Sequence, residues 1–118
     1  MRVLLVEDSN SLRHLFARVL MTQGIEVHEA ADGLEALDSL PRFMPDVVLT
    51  DLMRPGLDGL GLIRRLRAMP GLAEVPVVAM TASASPEVER AARLAGAADF
   101  LAKPIDSHAL LACIGHYG

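Results

Sequence analysis

Aromatic residues make up 3% of this 118-residue chain, three Phe and one Tyr with no Trp. A core must therefore come from Leu, Val, Ile, Ala and Met. The net charge is −4 and no Lys/Arg run breaks the acidic balance, which argues against direct nucleic-acid binding. A single cysteine, Cys113, rules out an internal disulfide and offers no metal-site spacing, so it reads as a small apolar filler of the last helix. No apolar run approaches the roughly 20 residues needed to span a bilayer. Met1-Arg2 leads straight into an apolar strand rather than a signal peptide. The expectation is a soluble cytoplasmic protein without membrane contact.

What is present is a 52% hydrophobic chain, enough for one domain over residues 1–118 with a real core. Two short, unbroken apolar runs, Val3-Leu4-Leu5-Val6 and Val47-Val48-Leu49, predict strands buried on both faces. Val75 to Met80 predicts another, with Pro76 confined to its first residues because it lacks an amide donor. Ile25-Glu26-Val27-His28 alternates and suits an edge, and Phe100-Leu101-Ala102 makes a fifth strand. Between them lie helical patterns. Ser9 can cap a helix carrying Leu12, Leu15, Phe16, Val19 and Leu20 inward, with Gly24 as its stop. Asp32-Gly33 opens a second helix through Leu34, Leu37 and Leu40. A third turns Leu60, Ile63 and Leu66 inward and Arg64, Arg65 and Arg67 outward. Ser85-Pro86-Glu87 starts a fourth, whose stripe of Val88, Ala91, Ala92 and Ala95 is thin. Asp106 or Ser107 caps the last, using Leu110, Leu111 and Ile114.

This alternation predicts an α/β fold of the flavodoxin-like (βα)5 kind: a five-stranded parallel sheet, order 2-1-3-4-5, sandwiched between helices. Glu7 and Asp8 follow the first strand and Asp51 ends the third. Three acids thus meet where the strand order reverses, the place such sheets bind ligands. Two like charges ~4 Å apart at an effective dielectric of 20 repel by about 4 kcal/mol. A raised pKa relieves this; so does a hard divalent cation, and Mg²⁺ suits two or three acids plus a carbonyl. Thr81 and Lys103, ending the fourth and fifth strands, add a hydroxyl and an ammonium. Acid, metal, hydroxyl and ammonium together match a phosphoryl group in transfer.

Glu7-Asp8, Asp51 with Pro55 and Asp58-Gly59, Thr81-Ala82, the run Ala95 to Phe100, and Lys103-Pro104 stand in the same order as the motifs of response-regulator receiver domains of two-component systems. The chain resembles that family, and in particular its single-domain chemotaxis regulators. The resemblance implies a phosphorelay domain rather than a turnover enzyme. Asp51 would accept a phosphoryl group from a sensor histidine kinase or a histidine phosphotransfer protein, and the domain would assist both its own phosphorylation and the hydrolysis. Mg²⁺, or Mn²⁺ in its place, would be bound by Asp8, Asp51 and the backbone carbonyl of Met53, with Glu7 helping through water. Thr81 and Lys103 would hold phosphoryl oxygens. Thr81 and Phe100 would be the switch, and the Lys103-Pro104 peptide would be cis. The output face would be the fourth helix, fifth strand and fifth helix. It would meet a downstream protein, an effector domain, or a second copy in a phosphorylation-dependent homodimer. Arg54 departs from the family, which usually has an apolar residue there, and Met53 and Ser83 occupy positions that tune phosphate lifetime.

Plainer readings stand beside these. Glu7-Asp8 alone could be an acidic helix start, Asp58 a cap of the third helix, and Phe100 by spacing a core or sheet-edge residue. The histidines His14, His28, His108 and His116 read as surface or capping groups, and the six methionines as core filler. Three other functions compete. A haloacid-dehalogenase-like phosphatase needs a second Asp where Met53 stands. A flavodoxin-like cofactor binder needs a Ser/Thr/Gly loop where Glu7-Asp8 would repel phosphate. A pseudo-receiver would work by protein contact alone, without phosphorylation.

Overall fold

A computed structural model describes residues 1–52 and 59–118 of the chain. Among these residues, five strands alternate with five helices: β1 (Arg2–Val6), α1 (Asn10–Met21), β2 (Glu26–Ala30), α2 (Gly33–Ser39), β3 (Val47–Asp51), α3 (Gly59–Arg67), β4 (Val77–Thr81), α4 (Pro86–Ala95), β5 (Asp99–Ala102) and α5 (Ser107–Gly115). All strand pairs are parallel, in the expected order β2-β1-β3-β4-β5.

The three central strands are covered on both sides because their side chains alternate between two apolar layers. Leu4, Val6, Val48, Val77 and Ala79 face α2, α3 and α4. Val3, Leu5, Val47, Leu49, Val78 and Met80 face α1 and α5. Each Val, Leu or Ile fully buried in this way contributes roughly 1.5–3 kcal/mol. The edge strands β2 and β5 are half-covered. The β4 ladder begins just after Pro76, whose carbonyl still accepts from the Val48 amide at 3.0 Å, so the ring costs the sheet no donor.

Caps fall where the sequence places them. Ser9, Asp32, Ser85 and Asp106 each accept an amide from the first turn of their helices. Gly96, at φ +122°, ends α4 in a conformation that L side chains rarely adopt. Both Leu40-Pro41 and Lys103-Pro104 are cis, the second as expected.

Several helix faces differ from expectation. Leu15 and Leu34 are 53% and 61% exposed, while Phe16, Ala17 and Leu20 carry the buried face of α1, and Ala36 and Ser39 that of α2. In α3, Leu62 is fully buried beside Ile63 and Leu66. Arg67 does not point outward: its guanidinium donates to the carbonyls of Gly96, Leu72, Ala73 and Val75. Burial lowers its pKa from the ordinary arginine value. Among the described methionines Met80 alone is fully buried, whereas Met1, Met21 and Met44 are exposed, so core filler describes only part of that set.

Candidate phosphoacceptor and metal site

Among the described residues, buried charge is found only at the strand ends. Glu7 is 1% exposed, Asp51 5% and Thr81 0%; Asp8, one residue beyond the buried run, is exposed. Register explains the meeting. Val6 pairs with Thr50 and Asp51 with Met80, so the residues just beyond β1, β3 and β4 lie side by side at the carboxyl edge. Glu7, Asp8 and Asp51 can each present a carboxylate oxygen within 4.8 Å of the others. An all-oxygen set of this kind suits a hard divalent cation.

Lys103 reaches into the same crevice from the end of β5. Its Nζ lies 2.5 Å from Glu7 Oε1 and 3.1 Å from Asp51 Oδ2. Burial pushes the Glu7 carboxyl above its ordinary value; hydrogen bonds from Lys103 and from the Ser9 amide oppose that, and the Asp51 charge adds to it. For Lys103, burial alone would lower the pKa, but the bonds and charges of Glu7 and Asp51 outweigh it and leave the ammonium raised. The ammonium is therefore charged at neutral pH.

The backbone holds these groups tightly. The Thr81 carbonyl accepts from the Lys103 amide at 2.8 Å, tying the β4 tip to the lysine, and Thr81 Oγ1 accepts from the Ser83 amide at 3.0 Å. Gly59, opening α3, packs so close to the β3 tip that a Cβ would collide with the Asp51 carbonyl oxygen and lie 2.6 Å from Leu52 Cα. Phe100 is half-buried on β5, packed against the α3/α4 layer. Met53, Arg54 and Asp58 lie outside the described residues, and with them the carbonyl ligand, the added cation and the helix cap expected there.

A family model of the response regulator receiver domain matches residues 3–115. The chain belongs to that family. This receiver domain is 41% identical over 103 residues to a gliding motility regulatory protein of Myxococcus xanthus, covering 87% of this chain and 13% of the relative. It is 39% identical to the response regulator MprA of Mycobacterium avium, covering 95% of this chain and 48% of that protein. The chain thus spans about half or less of the length of these relatives. Among solved structures, chemotaxis protein CheY4 of Vibrio cholerae superposes with a TM-score of 0.94 at 31% identity, over 99% of this chain and 98% of that one. The receiver domain of a sensor histidine kinase from Pseudomonas aeruginosa, described with a magnesium ion coordinated in its active-site cleft, has a TM-score of 0.89 at 33% identity, over 98% and 95%. The family is a signalling domain of two-component systems. No helix among the described residues is long and apolar enough to cross a membrane.

Arg13 went unnoticed in the sequence. It looks like any arginine on the polar face of α1, yet it is half-buried and donates to the Glu7 carbonyl. Helical side chains lean toward their own N-terminus. A long cation in the first turns of a helix that leaves a strand tip is the signal that could have found it.

Proposed function

We propose that residues 1–118 act as one receiver domain that takes a phosphoryl group onto Asp51, from a phosphohistidine on a sensor kinase or a histidine phosphotransfer protein in the cytoplasm. A carboxylate oxygen of Asp51 attacks phosphorus, and the N–P bond breaks with its electron pair going to the imidazole. Lys103 and Thr81 hold the phosphoryl oxygens. Asp8 and Asp51 would hold Mg²⁺, or Mn²⁺, with Glu7 assisting, and the bound ion would supply the positive charge that three carboxylates and a phosphoryl group need. The same groups later position water for hydrolysis, so the domain resets itself without turning over a separate substrate. The reading rests on one observation above all: Lys103 Nζ bridges Glu7 and Asp51 across three strand tips.

Output follows from charge. A phosphoryl group adds about −1.5 to −2 charges, and Thr81 turns toward it by moving the loop into α4. Phe100 fills the space. Moving a 1:99 equilibrium to 99:1 takes about 5.5 kcal/mol, within the range of a few charge-assisted hydrogen bonds at ~1.5–3 kcal/mol each. The face formed by α4, β5 and α5 then meets a downstream protein, an effector domain or a second copy. Supporting this, α4 buries only Ala92 and Ala95, and its Leu94 is 81% exposed.

Incubation with acetyl phosphate tests the assignment. One phosphate should be added with Mg²⁺ present, almost none with chelator, and none in Asp51→Asn. Unchanged labelling of Asp51→Asn would overturn it, and no labelling of the wild type under any phosphodonor would leave the pseudo-receiver reading in its place.

A further inference from the structure

The acidic pair Glu7-Asp8 stands at the point where the β1 ladder stops. The Glu7 amide still donates to the Ala30 carbonyl of β2 at 3.1 Å. Its own carbonyl, the next acceptor in line, goes instead to a side chain: Arg13 Nη1 donates to it at 2.9 Å. A partly buried carbonyl left without a donor is costly, so this bond governs how the peptide between Glu7 and Asp8 can rotate. The guanidinium is itself fixed on two further sides. Its Nε donates to Glu29 Oε1 at 3.2 Å and its Nη2 to Asn10 Oδ1 at 2.7 Å. Glu29 also lies 3.4 Å from the exposed His14 Nε2.

We infer that Arg13 is a positioning residue for the metal site: by holding the Glu7 carbonyl, with Asn10 and Glu29 as its anchors, it orients the Glu7-Asp8 peptide so that the exposed Asp8 carboxylate converges on Asp51. This rests on reading Glu7, Asp8 and Asp51 as a divalent-cation site. Partners that orient metal ligands matter in proportion to the freedom they remove, and losing one typically costs 10–100-fold in affinity. Arg13 acts through a backbone carbonyl rather than on a ligand atom, which places it at the lower end of that range.

Orientation and charge predict opposite signs. If Arg13 mattered only as a cation beside the acids, removing it would tighten Mg²⁺ binding. If it positions the peptide, removing it weakens binding although a repelling charge has gone. Titration of the whole chain with Mg²⁺ alone, followed by amide NMR shifts of Asp8 and Asp51, distinguishes them. Wild type should saturate and Asp8→Asn should not. Arg13→Met should bind about tenfold more weakly, and Arg13→Lys, which keeps the charge but cannot reach all three acceptors, should fall between. Asn10→Ala leaves every charge in place and should weaken binding severalfold; it decides the matter if Arg13→Met fails to fold. Equal or tighter binding in Arg13→Met, or in Asn10→Ala where Arg13→Met is unfolded, overturns the inference while leaving the site intact. A wild type that shows no saturable Mg²⁺ shifts overturns both.

Discussion

Helices α1 and α4 invite comparison because each leaves a strand tip of the site through a serine cap, Ser9 accepting the Leu12 amide at 3.3 Å and Ser85 the Val88 amide at 3.1 Å. They differ in what they bury and in where they are tied. α1 inserts Phe16, Ala17 and Leu20 into the core; α4 inserts two alanines. Arg13 fastens α1 at the end next to the site. Arg67 fastens α4 at the far end, with Nε and Nη2 at 3.1 and 2.8 Å from the Gly96 carbonyl. Glu7 and Asp8 thus lead into the helix that is tied beside the site. Thr81 leads, through the loop to Ser85, into the helix whose arginine tie lies at its far end.

The largest effect separating the two helices should be thermodynamic. Leu20→Ala opens a cavity in a fully buried layer and should cost about 2–5 kcal/mol, whereas Leu94→Ala should stay within about 0.5 kcal/mol. Urea unfolding of both variants checks this, and similar losses would break the comparison. Arg67→Met should come next. It strips donors from four carbonyls, for a loss of about 1–3 kcal/mol. Hydrogen exchange should also speed up more in α4 than in α1, and a uniform increase would mean that Arg67 does not tie α4 in particular. In the wild type, α4 amides should open more easily than those of α1.

The smallest effect concerns Cys113 in α5. Burial, and then the Asp99 charge and hydrogen bond, push its thiol up to about 12. A raised thiol pKa means that the reactive thiolate is scarce at pH 8 and grows as pH rises toward that value. Alkylation by iodoacetamide at pH 8 should be slow, rise about tenfold per pH unit through pH 10, and quicken in Asp99→Asn. A rate flat with pH would show that access, not ionisation, controls it.

Strands and caps were legible in the sequence for a simple reason. An unbroken run such as Val3 to Val6 has one way to be buried on both faces, and Asp or Ser before a helix has one orphan amide to serve. The tips of β1, β3 and β4 follow from the same runs, and that of the edge strand β5 from Phe100-Leu101-Ala102, which is why the sequence already brings Glu7, Asp51, Thr81 and Lys103 to one edge of the sheet. Helix faces were less legible. Three- and four-residue spacings support overlapping stripes, so Leu15 and Leu34 fit the pattern yet face solvent, while Leu62 and Ala36 took the buried positions. Tertiary packing chose between them. Arg67 was misjudged because an arginine that serves backbone carbonyls distant in sequence has the same local sequence as one that serves water. Only the chain folding back brings Gly96 within reach of Arg67, whereas Glu7 lies one strand-to-helix turn before Arg13.

The most direct test of the asymmetry is an amide shift map with Mg²⁺, before and after adding beryllofluoride as a phosphoryl mimic. The largest changes beyond the site itself should run from Thr81 through the first turn of α4 to Phe100, tapering toward Gly96, with Phe16 to Leu20 of α1 nearly still. Changes confined to α1 and α2, or spread evenly over both helices, would contradict the account.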